Sequence, residues 1–251
     1  MDERIRARAR DALAVLPHRA GLAYGPGPAQ RLTFLPPASP GDAPAPLLLV
    51  IPGDAWGWLR AGDAACLAPY LTARGFGLAA LQHRPAGGSG LGHALHDARL
   101  GLAWLHGQAA SLGIDPSRIF VLGAGRGGLI AALLASGGSW PAAFGLPPAP
   151  LAGVALLAAE LAAHGLAPRD QPLQLPPPAA SLRLLMASSE ACDAAHRRQM
   201  HDYAAHAALA GCALTALAPS PGTDPARLLL ELGAPGPLSA ALLQMADLNP
   251  A

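Results

Sequence analysis

The sequence predicts one α/β domain, a mostly parallel sheet covered by helices on both faces. Three observations predict it. From about residue 30 onward, short β-type apolar runs alternate with helical segments. Those runs are continuously apolar, as expected for strands buried on both faces. The composition, 52% hydrophobic and 13% charged over 251 residues, supplies a substantial core and excludes disorder.

Each element has its own signal. Ile5, Ala9, Ala12, Leu13 and Leu16 recur at helical spacing with arginines on the other faces, an amphipathic surface helix within residues 1–20. Strands are expected at Arg31–Leu35, Leu47–Pro52, Gly77–Gln82, Ile119–Leu122, Gly153–Ala158, Leu182–Ala187 and Ala213–Ala218. The helices between them stop at glycine: Cys66–Arg74 before Gly75, His93–Leu112 before Gly113, Arg126–Ser136 before Gly137, and Ala194–Ala210 before Gly211. Asp224–Leu232 and Leu238–Leu248 follow as two further helices. Pro36–Pro46 reads as a surface connection, and the Pro-rich stretch 137–180 as loops or a small lid. There is no internal repeat, so residues 1–251 are expected to form a single domain.

Composition removes several function classes. The 17 cationic side chains are all arginine and the net charge is +1, which offers no electrostatic footprint for nucleic acid. No apolar run approaches the ~18 residues of a membrane span. The N-terminal MDERIRARAR lacks the apolar stretch of a secretory signal, so a cytoplasmic location is expected. Cys66, Cys192 and Cys212 are widely spaced and form no zinc framework.

The motifs carry more. The strand Leu47–Pro52 runs into Gly53-Asp54-Ala55-Trp56. The strand Ile119–Leu122 runs into Gly123-Ala124-Gly125-Arg126-Gly127-Gly128 and a helix. Between them stand Leu67-Ala68-Pro69, His83-Arg84-Pro85, Asp97-Ala98-Arg99 and Gly113-Ile114-Asp115-Pro116. In this order, the run resembles the α/β-hydrolase esterases, in particular the arylformamidase-like and hormone-sensitive-lipase-like branches, over roughly residues 24 to 247. The resemblance implies an elbow serine as nucleophile, a late histidine as base and an acid that orients it. It places the nucleophile at Gly125, which has no side chain to attack with, and the base at Pro225. The last histidine of the chain is His206, ahead of the final strand. Glu190, Cys192 and Asp193 are the candidates in the acid loop. Gly53, Asp54 and Arg126 fall in the oxyanion region, where Asp54 and Arg126 are expected to pair, and Trp56 and Trp58 to line the pocket.

Bland readings compete with these. Gly123, Gly125 and Gly128 also spell a dinucleotide turn, with Glu160 as a ribose-binding acid. The expectation here is hydrolase-type packing and no cofactor. His93, His96 and Asp97 share helical spacing; exposed polar positions and a structural hydrogen bond from Asp97 are expected rather than a metal. His196, His201 and His206 are expected to be solvated. With nucleophile and base both replaced, the expected function is that of a non-catalytic homologue binding a small molecule or a protein partner, including a homo- or hetero-oligomer. A hydrolase with a rearranged site is the alternative.

Overall fold

A computed structural model describes residues 3–39, 41–53, 61–85, 90–162, 171–220 and 222–248. Helix α1 (Glu3–Val15) is followed by strands β1 (Arg19–Ala23), β2 (Arg31–Leu35) and β3 (Ala45–Ile51). A 3-10 segment, Ala61–Leu67, leads into α2 (Ala68–Ala73), β4 (Gly77–Gln82), α3 (Leu91–Gly107), α4 (Ala109–Leu112) and β5 (Ile114–Ala124). Next come α5 (Arg126–Ala135), α6 (Trp140–Ala143) and β6 (Gly153–Leu157), then a 3-10 turn at Pro172–Gln174 and β7 (Arg183–Ser189). Helix α7 (Ala194–Leu209), β8 (Ala213–Ser220), α8 (Pro225–Leu232) and α9 (Pro237–Met245) complete the order.

The eight strands form one sheet in the order β1-β2-β4-β3-β5-β6-β7-β8. Strands β1 and β2 run antiparallel to their neighbours, and every pair from β4 to β8 is parallel. Strand β3 shows why the sheet needs two layers of helices. Leu47, Leu49 and Ile51 enter one core with α3 and α5, while Leu48 and Val50 enter the other with α8 and α9. All five are fully buried. That is the period-2 alternation of a strand with both faces covered.

Several expectations are corrected. The N-terminal helix stops at Val15, two residues ahead of Pro17, and residues 19–20 belong to a strand. That strand, β1, was not expected because Arg19–Ala23 carries one large apolar residue, Leu22, and lies mostly exposed at the sheet edge. The helix expected over His93–Leu112 is two helices, broken at Gln108 (φ −99°, ψ 5°) directly after Gly107. Strand β5 begins at Ile114, through Asp115-Pro116-Ser117, which reads as a turn in sequence. In the Pro-rich stretch the described residues hold α6, strand β6 and one 3-10 turn. No single described helix is long and apolar enough to cross a membrane.

Candidate active site

At the C-terminal end of β5 the chain turns sharply into α5, and Gly125 sits at the apex with φ 54° and ψ −124°. A side chain rarely adopts that backbone. The turn is fastened on both sides. The Gly125 N–H donates to the Leu157 carbonyl at 3.2 Å, and its own carbonyl accepts the Glu160 N–H at 2.9 Å.

The neighbouring glycines are set by close approach. A Cβ on Gly127 would lie 2.2 Å from the Ile51 carbonyl oxygen, and one on Gly128 would lie 2.3 Å from the Ala159 Cβ. The glycine spacing that resembles a dinucleotide turn is thus taken up by packing α5 against β3 and the end of β6. Gly53 is brought to the same place: a Cβ there would stand 2.9 Å from the Ala124 carbonyl and 3.3 Å from the Arg126 nitrogen. The backbones of Gly53 and Arg126 therefore meet at this turn. Asp54, Trp56 and Trp58 lie outside the described residues. The Arg126 guanidinium stands 3.6 Å from Glu160, the acid that the dinucleotide alternative assigns to a ribose.

A cavity of about 360 Å³ opens over Gly125. Ala158 and Glu160 from the end of β6, Cys192 and Asp193 from the loop after β7, His196 from α7, and Pro225 from the start of α8 all line it. It gathers the expected nucleophile position, base position and two of the three acid-loop candidates. The third, Glu190, instead accepts the Gly222 N–H at 2.6 Å and ties its loop to the segment before α8.

Asp193 caps α7. Its carboxylate accepts the His196 backbone N–H at 2.8 Å and lies 3.1 Å from His196 Nδ1. The His196 backbone N–H, then the ring, holds the Asp193 carboxyl below its usual range. His196 is thus on the cavity wall and partnered, which corrects the solvated reading; the Asp-x-x-His spacing of a helix cap was the available signal. His201 is exposed as expected, whereas His206 is partly buried.

Cys192 is buried with its Sγ 3.3 Å from the hydroxyl of the fully buried Ser189. Pro225 occupies the first position of α8, capped by Asp224, which accepts the Arg227 N–H at 2.7 Å. Proline suits that position, since the first helical N–H has no partner inside the helix. Ala158, on the cavity floor, has φ 44°, an unfavourable left-handed backbone for a residue with a Cβ. Among the described residues no group of three His, Cys, Asp or Glu side chains could hold a metal ion.

Strand order, parallel crossovers and the sharp strand–turn–helix at Gly125 define an α/β-hydrolase-fold protein. Within that class, residues 34–140 match the family described as BD-FAE. No curated protein matches the sequence. Among solved structures, esterase B from Lactobacillus rhamnosis (HN001) is 17% identical with a TM-score of 0.72, covering 98% of this chain and 91% of that one. Esterase LipW from Mycobacterium marinum is 20% identical with a TM-score of 0.68, covering 98% and 86%. The thermophilic carboxylesterase EstE1, cloned from a metagenomic library, is 17% identical with a TM-score of 0.66, covering 98% and 92%. At these identities the likeness is one of fold.

Proposed function

We propose that this protein retains the pocket of an esterase-like hydrolase without its serine chemistry, and binds a small molecule there. The observation that carries the reading is Gly125. The apex of the turn, where the resemblance puts the attacking hydroxyl, bears no side chain, yet the turn and the cavity above it are kept. Pro225 at the base position supplies no proton acceptor. Loss of a nucleophile or base costs on the order of 10⁶ in turnover in serine proteases, so binding is the activity that survives.

The test is a fluorophosphonate probe together with p-nitrophenyl acetate and N-formylkynurenine as substrates. The expected result is no stoichiometric serine labelling, no turnover above background, and no rescue by Gly125→Ser alone. Native mass spectrometry of the purified protein is expected to show a retained small molecule. Stoichiometric labelling of one serine, or a substantial rate in Gly125→Ser, overturns the reading.

A second reading, a hydrolase with a rearranged site, has one observation in its favour. Cys192 shares the cavity with a histidine already oriented by a carboxylate, His196 and Asp193. It requires ester turnover by the native chain that is abolished by both Cys192→Ser and His196→Ala.

A further inference from the structure

A second cavity, about 690 Å³, opens between the start of α1, the C-terminal ends of β7 and β8, and helix α8. It lies within the range of about 300–1,000 Å³ of small-molecule sites. Its lining is divided in character. Arg4 and Arg8 stand one helical turn apart on α1, and Arg227 faces in from α8. Glu231 is the carboxylate on the lining and lies 3.2 Å from Arg227 along the same helix. The remaining wall is apolar and includes Leu217, Leu230 and Leu238.

Guanidinium forks match the two oxygens of a carboxylate. An apolar wall beside them gains from covering a hydrocarbon chain, roughly 0.8 kcal/mol per buried methylene. A ligand that uses both features carries its charge at one end. We propose that this groove is a binding site for a small anionic amphiphile, a medium-chain alkyl carboxylate. Its head lies between Arg4 and Arg8, and its chain runs along Leu217, Leu230 and Leu238. The proposal stands apart from the function assigned to the cavity at Gly125, since none of that cavity's lining residues is shared.

The experiment is calorimetric titration of the full chain with decanoate below its micelle concentration. The expected result is one saturable site, weakened at least tenfold in the double variant Arg4→Gln/Arg8→Gln. Decyltrimethylammonium and acetate, which carry the wrong charge or no chain, are expected not to saturate it. Both arginines are exposed, and circular dichroism checks that the variant folds. A diazirine-bearing decanoate is expected to cross-link to residues lining this groove. The absence of saturable decanoate binding, equal affinity in the double variant, or cross-linking at Cys192 or His196 instead overturns the proposal.

Discussion

Asp97 and Arg84 form a two-pronged ion pair, with Arg84 Nε 2.9 Å from one carboxylate oxygen and a terminal guanidinium nitrogen 2.7 Å from the other. The Asp97 side chain is fully buried on α3, and its oxygens also accept the Arg84 backbone N–H at 3.0 Å and the Gln30 amide at 2.7 Å. The neighbouring His83 places Nε2 3.1 Å from the Pro52 carbonyl, just after β3. One carboxylate therefore fixes the segment after β4, and through it the chain that leads to Gly53.

Asp97→Ala is expected to destabilise the fold by about 2–3 kcal/mol, since it strands buried donors. The value lies below the ~3–5 kcal/mol of fully buried pairs because the Arg84 head is 41% exposed and can turn to water. Urea unfolding of the variant against the native chain measures it, and an unchanged midpoint contradicts it.

The same carboxylate gives the protein an acid limb. Burial pushes the Asp97 carboxyl up, but the hydrogen bonds from Arg84 and Gln30 outweigh it and bring it down to about 2. In the unfolded chain an aspartate titrates near 3.9. A depressed carboxyl contributes stability that is complete above the unfolded value and lost as pH falls from about 4 towards 2. Urea midpoints at pH 6, 4 and 2.5 are expected to fall more steeply in the native chain than in Asp97→Asn.

Gly127→Ala drives a methyl group into the Ile51 carbonyl, a 2.2 Å approach to backbone rather than to a movable side chain. The cost is expected at or above the upper end of the ~1–3 kcal/mol usual for overpacking. Soluble yield and thermal midpoint report it.

Ala158→Gly runs opposite to the usual direction for glycine. Releasing the φ of 44° recovers about 1–2 kcal/mol, offset by about 0.4–1 kcal/mol of extra unfolded-chain entropy. The variant is expected to be neutral or more stable by up to about 1.6 kcal/mol in the same unfolding assay.

The strands that carry two buried faces were legible as runs of leucine, valine and alanine, and Gly77–Gln82 coincides with β4; Arg31–Leu35 coincides with β2, where Leu32 and Phe34 are buried and Arg31 and Thr33 half-buried. Strand β1 was not legible, since an edge strand needs little apolar content. At the site, the Gly125 turn was readable from glycines between a strand and a helix. The Glu160 contact to Arg126 and the placing of His196 on the cavity wall were not, because both depend on where β6 and α7 end in space. Asp97 was legible as a structural hydrogen-bonding residue, although neither its complete burial nor its Gln30 partner, 67 residues away, leaves any mark in local spacing.

Helix α8 is a party wall. Asp224, Pro225 and Ala226 face the chamber over Gly125, while Arg227, Leu230 and Glu231 face the arginine-lined one. At eight residues the helix is about 12 Å long, short enough to move as a rigid rod, so a shift imposed at Leu230 is carried to Pro225. Free energies of substitutions in the two chambers will therefore not add, although no residue lines both. A double-mutant cycle across this helix, such as Ala226→Val with Leu230→Ala, returns a coupling term distinct from zero.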